Sequence, residues 1–145
     1  MEQTSVKIMQ CVLADSGQMK IDCIGVGVGV FLHSRVKKMA VGLHVLVPRS
    51  ATPAPPNPVK FANLAVPHAL AMLQERGVSA PLSVAIAGGA SMEGSPAGIS
   101  MGSKVVEAVK EALSEANLSV TVDETGGSKI RSMSLDLKTG KIDIT

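Results

Sequence analysis

Ile21-Asp22-Cys23-Ile24-Gly25-Val26-Gly27-Val28-Gly29-Val30-Phe31-Leu32-His33 decides the fold. It is followed across Ser34-Arg35 by a second run, Val36 to Val47. Both runs are rich in β-branched residues, and so short a link between two such runs predicts a β-hairpin. Within the first run the glycines recur at every second position. On a single strand that spacing places Gly25, Gly27 and Gly29 on one face and strips it of side chains, so that another segment can pack closely.

Working outward, Ser5 to Leu13 reads as an earlier strand, closed by the turn Ala14-Asp15-Ser16-Gly17. The stretch from Arg49 to Pro58 holds four prolines and cannot join a ladder, so it is an exposed loop. A helix is predicted over Val59 to Arg76, with Phe61, Leu64, Ala65, Ala69, Met72 and Leu73 near one face and Gly77 as its stop. Pro67 either kinks this helix or lies in its first turn, with the regular part starting near Val66. Leu82 to Ala87 reads as a buried strand and Gly94 to Gly98 as a turn. A second helix spans about Ser103 to Ala116, with Val105, Val106, Val109, Ala112, Leu113 and Ala116 inward and Asn117 as its C-terminal cap. Strands at Leu118 to Val122, Ile130 to Leu137 and Lys141 to Ile144 complete the chain. This order predicts one domain over residues 1–145, an α/β layered sandwich with a mixed sheet and two main helices.

Composition excludes several functions. The chain has 145 residues, 46% apolar, and its only aromatics are Phe31 and Phe61. No tryptophan or tyrosine is present to stack on a base, and a net charge of +2 with scattered Lys and Arg makes no stripe for a duplex. Nucleic acid is therefore not an expected partner. No apolar run spans a bilayer, so membrane insertion is not expected either. Cys11 and Cys23 form no disulfide framework and read as buried, inert thiols in a reduced, cytoplasmic setting.

The candidate chemistry is sparse. Gly25 to Gly29 lacks the G-x-G-x-x-G spacing and a following helix, so no dinucleotide or other cofactor is expected. His33, His44 and His68 are too dispersed for a metal site. His44 lies in the apolar strand Ala40 to Pro48. It is either a hydrogen-bonded core residue or a base, and as a base it needs a nucleophile within reach; Cys23, on the preceding run, is the candidate. Two glycine-centred segments are candidate binding turns. One carries Gly88, Gly89 and Ser91; the other carries Thr125 and Gly126, with Arg131 available to hold a carboxylate or carbonyl.

Taken together, Gly42-Leu43-His44-Val45-Leu46-Val47-Pro48, Lys60-Phe61-Ala62-Asn63-Leu64-Ala65-Val66, Ile86-Ala87-Gly88-Gly89-Ala90-Ser91-Met92, Val106-Glu107-Ala108-Val109-Lys110 and Thr125-Gly126-Gly127-Ser128-Lys129-Ile130-Arg131 resemble the CheD family of chemoreceptor glutamine deamidases. The resemblance covers nearly the whole chain. It implies a layered fold shared with toxin-type cysteine deamidases, and partners among chemoreceptor cytoplasmic helices or a CheC-type phosphatase. It also implies attack by a Cys thiolate on a glutamine side-chain amide, assisted by His and completed by Thr. Carried across, the histidine is His44, the nucleophile position falls on Gly27 and the threonine position on Ile21. An acidic position becomes Asn63, and the R-N before the second helix becomes Lys104-Val105. The expectation is a protein that has lost the deamidase step and persists as a binding module. The alternative is an active amidohydrolase using Cys23 with His44. Cys23 precedes Gly27 by four residues, about 13 Å along an extended strand, so that alternative needs a bulged or re-registered strand.

Overall fold

The computed structural model describes residues 2–79, 81–91 and 100–145; the turn expected at Gly94 to Gly98 lies outside them. The described strands form two sheets rather than one. The larger sheet has the order β2 (Cys11–Ala14), β5 (Met39–Val45), β4 (Val28–Ser34), β6 (Ser83–Gly88) and β7 (Val122–Thr125). The smaller has the order β1 (Gln3–Ser5), β3 (Gln18–Ile24), β8 (Arg131–Asp136) and β9 (Ile142–Ile144). Each is mixed, with one parallel pair: β6 with β7, and β1 with β3.

Side-chain alternation builds three layers from these sheets. Val30, Leu32, Val41, Leu43, Val45, Val84 and Ile86 face the helices α1 (Ala62–Glu75) and α2 (Met101–Glu115), which supply Val66, Ala69, Leu73, Val105, Val109 and Leu113. On the other side Phe31, Ala40, Ala85 and Ala87 meet Met19, Ile21, Ile24, Met133 and Leu135 of the smaller sheet. Every residue of β4 is buried, as befits a strand covered on both faces.

The hairpin is present as β4 and β5, in continuous register from Val28↔Val45 to Ser34↔Met39. The run that precedes it is not one strand. Ile21 to His33 is divided between β3 and β4, which lie in different sheets, and Gly25 to Gly27 form the bend between them. Of the three glycines only Gly29 is in a strand, so they do not share a strand face. The bend packs too tightly for a side chain at Gly27, where a Cβ would overlap the Val45 carbonyl. Ser5 to Leu13 is divided in the same way, with β1 and β2 in separate sheets and Met9 at φ 62 between them.

The first helix opens with a 3-10 turn at Pro58–Lys60, where the Asn57 side chain accepts from the Val59 N–H at 3.0 Å. α1 then runs through Pro67, so the helix does not begin near Val66. Pro67 is on the exposed side, where the carbonyl it leaves unbonded can turn to water. Ser100 caps α2 by accepting from the Ser103 N–H at 3.1 Å, and Asn117 takes the left-handed conformation (φ 60) just past its end. The strand expected over Leu118 to Val122 is displaced to β7. Thr121 only leads into it, bonding Val84, and the ladder begins at Ala85↔Val122. Among the described residues no helix is long and apolar enough to cross a membrane.

Candidate functional site

His44 sits on β5 opposite Gly29. Its neighbours Leu43 and Val45 point to the helices, so by alternation its ring points toward the smaller sheet. The side chain is buried, and Nδ1 has no partner among the described residues. Burial pushes its pKa below the ordinary histidine value, which favours the neutral imidazole. A Cβ placed on Gly27 would stand 3.4 Å from Nε2 of this ring and 3.0 Å from Cδ2 of Leu46, besides overlapping the Val45 carbonyl. The bend thus brings bare backbone against the histidine and leaves no room for more.

Cys23 approaches from the other sheet. Between Ile21↔Met133 and Ile24↔Arg131 the ladder takes three steps along β3 and two along β8, so β3 carries one extra residue. Cys23 itself is at φ 56, a left-handed conformation that costs a residue with a side chain about 1–2 kcal/mol. The bulge exposes Cys23, and with His44 it lines one cavity of about 360 Å³, whose walls include Lys7, Lys20 and Asp22. No hydrogen bond joins Cys23 to His44 among the described residues. The expected pair of buried thiols is therefore half right. Cys11 is partly buried, its sulfur 3.4 Å from that of Met72, and burial pushes its pKa up to about 12; Cys23 is exposed.

The two glycine turns do meet, and they hold the bend. The Gly126 N–H donates to the Gly88 carbonyl (2.9 Å) and the Ser91 N–H to that of Gly127 (2.7 Å). The Gly89 and Ala90 N–H groups donate to the carbonyls of Gly27 (2.8 Å) and Gly25 (3.0 Å). Arg131 Nη1 donates to the Gly126 carbonyl at 2.8 Å and lies 3.4 Å from that of Gly88. Thr125 Oγ1 donates to Asp123 at 2.6 Å, and the Ser91 hydroxyl pairs with that of Ser100 at 2.7 Å. These bonds among the described residues make the cluster a brace for the bend. Arg131 here bonds carbonyls of its own chain, those of Gly126 and Gly88.

The remaining transferred positions lie elsewhere. Ile21 is fully buried in the inter-sheet core. Asn63 accepts from the Ser50 N–H at 3.2 Å and so ties down the proline-rich loop. Lys104 is exposed and Val105 buried under the sheet. Lys7, Lys20 and Asp22 were missed by sequence reasoning. They carry no local signature and meet the cavity only because β1 and β3 pair. Among the described residues no group of three or more His, Cys, Asp or Glu could hold a metal ion.

Two helices on a five-stranded sheet backed by a four-stranded sheet, with a buried histidine facing a glycine bend at their seam, define a layered α/β sandwich with a vestibule between its sheets. Residues 46–145 match the family model described as CheD chemotactic sensory transduction. The chain is 36% identical to a probable chemoreceptor glutamine deamidase CheD of Clostridium botulinum, over 98% of this chain and 93% of the relative. It is 35% identical to a probable chemoreceptor glutamine deamidase CheD of Methanococcus vannielii (83% and 80% covered) and 34% identical to the chemoreceptor glutamine deamidase CheD of Thermotoga maritima (82% and 75%). The chain belongs to the CheD family. The family-model match begins two positions after His44, so it rests on the helices and the later strands rather than on the glycine bend.

Proposed function

We propose that this chain is a CheD-type chemotaxis protein that binds its target without deamidating it. The observation that carries this reading is the bare backbone of Gly27 beside Nε2 of His44. Amide hydrolysis of the CheD kind needs a thiolate to attack the side-chain carbonyl carbon, and glycine offers nothing that attacks. A neutral, buried histidine without a nucleophile to deprotonate has no first step to assist. What persists is the fold and the vestibule between the sheets. The relatives are named for chemoreceptors, which makes a receptor's cytoplasmic helices one candidate partner, and a CheC-type phosphatase is the other.

The test mixes the full chain with a glutamine-bearing receptor cytoplasmic fragment, and separately with a CheC-type phosphatase. Complex formation is followed by calorimetry and ammonia release by a coupled assay. Binding to one of the two without ammonia is the expected result; ammonia release that scales with the amount of this chain would sink the proposal.

A second reading is favoured by one observation, the bulge that puts Cys23 and His44 on the same cavity. In that reading the Cys23 sulfur attacks the amide carbon and His44 delivers a proton to the departing ammonia. A thioester forms, and water hydrolyses it to glutamate and free thiol. Its test is the Cys23→Ser variant, which must abolish any ammonia release seen with the parent chain.

A further inference from the structure

At the end of the sandwich away from the glycine bend, a second cavity of about 410 Å³ opens between β4, β6 and β7 on one side and β8 and β9 on the other. Its volume falls within the range of small-molecule sites. His33 and Arg35 line it at the close of β4. His33 is only 3% exposed, and its Nε2 has no partner among the described residues. A buried polar atom left in this way is costly unless something reaches it. Burial lowers the pKa of the ring, and the Leu137 backbone opposes that shift. Nε2 thus lacks a partner at a residue of the cavity wall, and a ligand hydroxyl can meet it as donor or acceptor.

Arg35 brings the complementary charge. Its guanidinium is exposed, donates from Nε to the Ser83 hydroxyl at 3.3 Å, and has no carboxylate partner among the described residues. No acidic residue is among those lining the cavity. Gly140 supports the arrangement by staying small, since a Cβ there would lie 3.4 Å from Arg35 Cζ and 3.5 Å from His33 Cε1. The rest of the wall is largely apolar, with the inter-sheet side chains of Phe31, Val122 and Ile142.

From this geometry we infer that the cavity is a binding site for a small aliphatic carboxylate that also carries a hydroxyl. The carboxylate accepts from Arg35, the hydroxyl pairs with His33 Nε2, and the alkyl part lies on the Val122 and Ile142 side chains. The site is separate from the vestibule at His44 and does not depend on whether the chain deamidates anything.

The composition makes the test direct. Phe31, which lines the cavity, is one of only two phenylalanines in a chain without Trp or Tyr. Its ring signals, with those of the three histidines, can be followed by proton NMR during titration of the full chain. Three probes are used: 2-hydroxyisovalerate, isovalerate and inorganic phosphate. The expected result is a saturable shift of the Phe31 and His33 signals by 2-hydroxyisovalerate, with His44 unmoved. Removing the hydroxyl (isovalerate) or the charge (Arg35→Gln, at an exposed position) weakens binding roughly tenfold, about the value of one good hydrogen bond. No saturable shift overturns the inference, as does equal affinity for isovalerate or phosphate, full affinity in Arg35→Gln, or a response centred on His44.

Discussion

A Cβ on Gly27 would reach within 3.4 Å of His44 Nε2, yet it cannot be placed there without displacing the carbonyl of Val45, the next residue of β5. The position is therefore closed as well as bare. Gly27→Ala is expected to lower stability by about 1–3 kcal/mol, the range for forcing extra atoms into a packed site. Thermal or denaturant unfolding measures this. Gly27→Cys carries the same overlap and adds a sulfur, so it is expected to be at least as destabilised and to release no ammonia from a receptor fragment. A Gly27→Ala variant as stable as the parent would mean that the bend yields easily.

The two thiols should behave differently. Cys23 is exposed, whereas Cys11 packs against Met72 with its pKa pushed up to about 12. One equivalent of alkylating reagent is expected to react with the folded chain, and Cys23→Ser removes that reaction. Cys11 reacts only after denaturation, since the thiolate is the reactive form. If the protein acts by binding alone, His44→Gln leaves the rate at Cys23 unchanged. A marked fall in that rate would favour the deamidase reading.

These two sites also show how much could be read from the sequence. The β4–β5 hairpin, α2 and its Asn117 terminus follow from periodicity and capping, which are local signals. His44 stands out because a histidine in an aliphatic strand must do something with its ring. The change of sheet at Gly25 to Gly27 was not legible. Glycines at every second position look alike whether a strand continues or crosses, and only the Val45 carbonyl decides between them. Met9 at φ 62 and Cys23 at φ 56 were hidden for a related reason: neither residue type favours the left-handed region, so tertiary packing imposes it. The braced state of Gly126 and Arg131 depends on bonds to Gly88, about forty residues earlier.

Burial of two histidines gives the stability a definite pH dependence. Burial lowers the pKa of His44. Burial also lowers that of His33, with the Leu137 carbonyl opposing and Arg35 adding to the shift. Below the ordinary histidine value near 6.5 the unfolded chain therefore binds more protons than the folded one, and stability rises with pH. Above that value these two groups contribute no slope. The melting temperature is expected to fall as pH is lowered from 7 to 5, and to fall less steeply in His44→Gln. Asp123 acts in a separate window. Burial raises its pKa, but the bonds from Lys110 and Thr125 outweigh this and lower it overall. Its contribution is present above the ordinary carboxylate range and is lost as pH falls through its folded value.

Gly102 supplies a test in which the usual sign reverses. Replacing a glycine in a helix by alanine ordinarily stabilises by about 1 kcal/mol, because alanine has less freedom to lose. Gly102 is the second residue of α2, and a Cβ there would overlap the carbonyl of Ala90 and come within 2.6 Å of that of Gly89. Both are backbone atoms, and a backbone carbonyl cannot rotate aside as a side chain can. Gly89 is itself held by its bond to the Gly27 carbonyl, so relief of the overlap must move either α2 or the bend. Gly102→Ala is expected to destabilise by about 1–3 kcal/mol in spite of its better helix propensity. Lys104→Ala, two positions on and exposed, is expected to stay within about 0.5 kcal/mol of the parent. Chemical denaturation of the pair separates the two effects. A stabilised Gly102→Ala would show that α2 is free to slide away from the turn that braces the bend.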